Sequence, residues 1–130
     1  MSEITHRLTV PLAIVFVTIL VLVSWNAFAQ TQLVVKEKPI KAQSLAGKVQ
    51  LGDSREGVRG VLVEDCSDDW KAVLASTHTD EGGQFIFAKP SRNRMHYLRL
   101  SFPGANTLLV KVKLDHSGEQ KLSLVLAFST

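Results

Sequence analysis

The chain has 130 residues, 45% of them hydrophobic, 21% charged and 7% aromatic, a length that holds one domain with or without a targeting segment and excludes a two-domain enzyme. Its single cysteine forms no internal disulfide, which excludes a disulfide-stapled mini-protein and a Cys-rich zinc module. Fifteen Lys and Arg against twelve Asp and Glu leave a net charge of +3, too small and too scattered an excess to imply a nucleic-acid surface.

The apolar residues are concentrated at the start. From Leu8 to Trp25 the run LTVPLAIVFVTILVLVSW carries no charge; Arg7 precedes it, and Ala27-Phe28-Ala29 closes it with a small-x-small pattern before Gln30. A basic start, an apolar stretch and an A-x-A exit make a secretory signal segment over residues 1–29. Two fates stand open for it. As a helix this run reaches ~27 Å at ~1.5 Å per residue, near the ~30 Å of a bilayer core, which favours a retained anchor. The Ala27-x-Ala29 exit favours cleavage. A cleaved chain is periplasmic or secreted; an uncleaved one meets the membrane through this segment alone.

Residues 30–43, polar and basic with Pro39, read as a linker or N-terminal arm with room for a short edge strand at Leu33 to Val35. Residues 44–130 alternate with period two. Leu45, Gly47, Val49 and Leu51 share one face, and the turn formers Gly52 to Gly57 follow. Val61 and Val63 come next, with Arg59 at the exposed start of their strand. Val73, Ala75 and Thr77 make a third run, closed by the tight turn Asp80-Glu81-Gly82-Gly83. Asp68 to Ser76 is long enough for a turn or two of helix, which is marginal in water. Phe85 and Phe87 mark a fourth strand, Leu98, Leu100 and Phe102 a fifth, and Leu108, Val110, Val112 and Leu114 a sixth. Leu122, Leu124, Leu126 and Phe128 mark the seventh. Seven short alternating strands separated by turn chemistry predict an all-β, Ig-like β-sandwich.

The chemistry-bearing residues point to no catalytic site. His78, His96 and His116 lack metal-ligand spacing; His78 and His96 are expected as half-exposed strand residues, His116 in a turn. Glu64, Asp65, Asp68, Asp69, Asp80 and Glu81 lack the calcium-loop pattern and read as solvated loop, with a weak calcium site as the alternative. Cys66 sits among carboxylates that hold a thiol protonated, so it reads as a structural thiol or as one half of a disulfide between chains. No G-x-S-x-G or G-x-x-x-x-G-K motif occurs. No metal or cofactor is expected. Trp70, Lys71 and Tyr97 are the candidate ligand-binding residues, Trp70 reading either as a plug between sheets or as a stacking platform for a carbohydrate or peptide. Lys89, Arg92, Arg94 and Arg99 form a basic stretch, either a solvated edge or a patch for an anionic envelope polymer.

The order Gly47-x-Val49, Gly60-Val61-x-Val63, Thr79-Asp80-x-x-Gly83-x-Phe85, Tyr97 to Leu100 and Pro103-Gly104 resembles the carboxypeptidase regulatory-like domain, a small transthyretin-like sandwich of exported bacterial proteins. The resemblance covers about Ser44 to Phe128. It implies a non-catalytic accessory module, since in metallocarboxypeptidases this domain supplies no zinc ligand. The related hydroxyisourate hydrolases end in a Tyr-Arg-Gly-Ser type tail, whereas this chain ends Ala127-Phe128-Ser129-Thr130. Fold alone carries no function across such a group. The expectation is an interaction or structural module of the cell envelope, its partner an envelope protein or a glycan. A carbohydrate- or peptide-binding module using Trp70 is the second reading, and a small hydrolase the weakest.

Overall fold

The computed structural model describes residues 32–88 and 92–129; the expected signal segment, Lys89 and Pro90 lie outside the described residues. Eight strands form two sheets, and the described residues contain no helix. The strands are β1 (Leu33–Ala42), β2 (Ala46–Leu51), β3 (Leu62–Cys66), β4 (Val73–His78), β5 (Gln84–Ile86), β6 (Met95–Ser101), β7 (Thr107–Leu114) and β8 (Leu122–Leu126). One sheet has the order β1-β7-β6-β3-β4 and the other β5-β2-β8. β1 runs parallel to β7 and β2 parallel to β8, while the remaining pairs are antiparallel.

Period-two alternation sorts each strand into a core face and an outer face. Val61, Val63, Leu98, Leu100, Val110, Val112 and Leu126 are fully buried, and with Val49, Phe85, Phe87, Leu122 and Leu124 they form one core cluster between the sheets. Each such side chain contributes about 1.5–3 kcal/mol over leaving it in water. Tyr97, Arg99 and Lys111 have the opposite parity and line the outer face of the five-stranded sheet.

Two expectations change, and one alternative falls away. The segment read as an arm is a ten-residue strand, β1. Its alternation is broken because Lys36 pairs with Val110 but Ile40 with Val112, so two extra residues bulge out beside exposed Pro39. Pro has no N–H for a ladder, and lysines and a bulge are the usual protection of an edge. Asp68 to Ser76 holds a turn and then β4, as the alternation of Val73, Ala75 and Thr77 predicts, and not the marginal helix. Phe128, expected on the last strand's inner face, is 62% exposed, because β8 ends at Leu126.

The Asp80 to Gly83 turn carries the chain from one sheet to the other, since β4 pairs with β3 and β5 with β2. Asp80 Oδ1 accepts from the N–H groups of Gly82 (3.0 Å) and Gln84 (2.9 Å). Gly83 has φ +75°, and a Cβ there would lie 2.4 Å from Gly57 Cα. Only glycine permits both the left-handed backbone and this loop-to-loop approach. Buried Thr79 ties the same loops together: its hydroxyl accepts the Val61 N–H at 2.9 Å and donates to the Val58 carbonyl.

Candidate binding surface

The β3–β4 loop places an aromatic side chain over the outer face of the large sheet. Ser67 N–H donates to the Ala72 carbonyl (2.9 Å) and Trp70 N–H to the Ser67 carbonyl (2.9 Å). Asp69 Oδ1 receives the Lys71 N–H at 3.0 Å and the Ser67 hydroxyl, and these two donors hold its carboxyl below the usual range, the hydroxyl more strongly. This tight network sets Trp70 at φ 65°, a left-handed conformation that costs a bulky residue about 1–3 kcal/mol. The Trp70 ring meets Tyr97 edge-to-face, centroids 5.5 Å apart at 85°. Arg99 secures the arrangement. Its Nε donates to Glu64 Oε1 at 3.0 Å and its Nη1 to the Trp70 carbonyl at 3.1 Å, and the Glu64 contact raises its pKa further.

Trp70 therefore does not plug the space between the sheets. It stands half-buried on their outside, paired with half-buried Tyr97. Lys71 is exposed, and only its backbone N–H takes part in the loop network. Of the basic stretch, Arg99 is committed to Glu64 and Trp70, while Arg92 and Arg94 are exposed.

A second feature was not anticipated. His96 and Asp65, expected as a half-exposed residue and a solvated loop carboxylate, are 1% and 2% exposed. Asp65 shares parity with Val61 and Val63, His96 with Leu98 and Leu100, so the adjacent strands β3 and β6 turn both inward. His96 Nδ1 and Asp65 Oδ2 are 2.8 Å apart. Asp65 Oδ1 and His96 Nε2 have no protein partner. Both residues border a recess of about 420 Å³ that also involves Ser67, Asp68, Asn93 and Arg94.

Among the described residues, no cluster of acidic, His and Cys side chains is placed to hold a metal ion. Glu64 is bound to Arg99, Asp80 caps its turn, and Glu81 lies 3.4 Å from exposed Arg59. Cys66 is 2% exposed on the outer side of β3. Burial pushes its thiol pKa up, Arg99 opposes this, and Glu64 and Asp65 add to the rise, so it is a poor nucleophile as placed. His78 and His116 are exposed. No protein-family model matches the chain, and no curated protein matches it.

Proposed function

We propose that this chain is a non-catalytic β-sandwich, exported to the cell envelope, that works by presenting a rigid surface to a partner protein. The β1 edge ahead of its bulge, from Leu33 to Lys36, carries this reading. β1 ends the five-stranded sheet, and Leu33 and Val35 on it are 62% and 53% exposed. An extended partner segment gains main-chain hydrogen bonds along such an edge, and its side chains find apolar contacts there. The Arg7, apolar run and Ala27-x-Ala29 pattern supports export. The transthyretin-like, carboxypeptidase regulatory-like assignment is supported by the Asp80 to Gly83 turn and by Phe85, which follows it into the core. The test is a photo-crosslinking residue at position 35 in intact cells, with position 86 on the small sheet as control. A discrete adduct from 35 alone is expected. No adduct from 35, or equal capture from 86, rejects the edge as the interface, and an intact N-terminal segment on the purified chain rejects cleavage.

The Trp70–Tyr97 pair favours a second reading, a platform for a carbohydrate or peptide. A bulky residue held at φ 65° by a dense loop network is the kind of strain that accompanies binding sites. Saturable glycan binding lost in Trp70→Ala, with folding intact, is the expected result; unchanged binding removes Trp70 from the site.

A further inference from the structure

We propose that the outer face of the five-stranded sheet binds an anionic polysaccharide, with Lys41, Lys111 and Lys113 taking its acidic groups beside the Trp70–Tyr97 pair. This rests on the platform reading of those two aromatics. Strand register gathers the residues: Lys41 pairs with Lys113, Tyr97 with Lys111, and Met95 with Lys113. All have the parity opposite to the core residues Val110, Val112 and Leu98. Directly opposed side chains on one face stand about 4.5–5.5 Å apart at Cβ, and successive ones along a strand about 6–7 Å apart. The three ammonium groups and the two rings therefore occupy one contiguous patch.

Like charges placed directly opposite each other destabilise a sheet, and the protein relieves this pair only in part. Among the described residues, the ion pairs use Arg59, His96 and Arg99, and none uses a lysine. Asp115, whose carboxyl is held below its usual range first by the Ser117 N–H and hydroxyl and then by Lys41 and Lys113, offsets part of this charge, but its single negative charge leaves the three lysines with an excess. Glu37 lies on the β1 bulge, out of the pairing register. An external polyanion supplies the missing counter-charge.

Two features select a polysaccharide over an acidic peptide. Tyr97, Lys111 and Lys113 project from the face of the inner strands β6 and β7, and of the three lysines only Lys41 stands on the β1 edge, where a peptide would find unpaired backbone. In the edge-to-face pair one ring offers only its edge to the other, so its own faces are left for the C–H side of a sugar ring. Lysine suits this ligand because an ammonium is a point charge that accepts carboxylates or phosphates at varied angles.

The test measures binding of polygalacturonate to the full chain, with neutral dextran, single-stranded DNA and anionic phospholipid vesicles as comparators. Saturable polygalacturonate binding that weakens as salt rises is expected. The joint Lys41→Gln, Lys111→Gln, Lys113→Gln variant should lose at least about tenfold in affinity, as should Trp70→Ala, while Lys121→Gln, beside the small sheet, should lose none. Circular dichroism establishes that each variant is folded. Absence of binding, or full affinity in the triple variant, overturns the anionic site. Trp70-dependent binding of dextran equal to that of polygalacturonate overturns the ligand class but leaves the platform standing. Tighter binding to DNA or vesicles with the same lysine dependence overturns the polysaccharide, and full affinity in Trp70→Ala overturns the platform itself.

Discussion

Removing one member of the Asp65–His96 pair should cost far more than removing both. The two side chains are 3% and 1% exposed and joined by a single 2.8 Å contact. His96→Leu leaves Asp65 with neither oxygen partnered, because Oδ1 has no partner to begin with. Breaking a buried pair by removing one partner costs about 3–5 kcal/mol, much of the roughly 5–15 kcal/mol by which a domain is stable. Asp65→Leu leaves His96 Nδ1 buried without a partner, for which about 1–3 kcal/mol is expected. The joint Asp65→Leu, His96→Leu variant removes both groups with their two orphan atoms, and should lie between neutral and about 4 kcal/mol more stable than the parent. Urea unfolding at constant m-value reads all four proteins, and the coupling follows from the double-mutant cycle. A joint variant whose loss equals the sum of the single losses would refute the argument, as would a His96→Leu loss under about 1 kcal/mol.

Thr79→Val keeps the shape but leaves the Val61 N–H and Val58 carbonyl without their hydroxyl partner; a loss of about 1–3 kcal/mol in urea unfolding is expected, and unchanged stability would show that water replaces the bonds. Gly83→Ala forces a left-handed alanine, worth about 1–2 kcal/mol, and drives its Cβ to 2.4 Å from Gly57 Cα. Its melting temperature should therefore drop sharply, and a drop no larger than that of Gly60→Ala, where a Cβ meets nothing, would remove the steric part of this account. For Cys66, a folded-state thiol pKa raised by burial predicts slow alkylation by iodoacetamide at pH 8 and fast alkylation once the chain is unfolded. The same sign makes its stabilising contribution complete below the unfolded thiol's pKa and lost as pH rises through the folded value. Equal alkylation rates in both states would contradict its burial.

Alternation made the strands legible because each has one face against the core. It failed at β1, where the register breaks between Lys36 and Ile40 and no apolar rhythm crosses the gap. The buried pair was legible in part. His96 is in phase with Leu98 and Leu100, and Asp65 with Val61 and Val63, so strict alternation points both inward. Polarity argued the other way, and only the pairing of β3 with β6 reveals that each residue finds the other. Trp70 and Tyr97 were identifiable as candidates by type. Their contact depends on a loop conformation with a positive φ at tryptophan, for which residue type gives no signal.

The two parallel pairings set the timing of folding. β1 has only β7 beside it, and β2 is flanked by β8, partners about 75 residues further along the chain. During synthesis the N-terminal strands emerge long before these partners exist, so the five-stranded sheet is completed only when β7 has been made and the three-stranded sheet only when β8 has. Closing such distant segments is entropically slow, and the delay leaves the N-terminal strands unpaired in the meantime. Deleting β8 should then produce a chain that fails to fold rather than a slightly shortened sandwich.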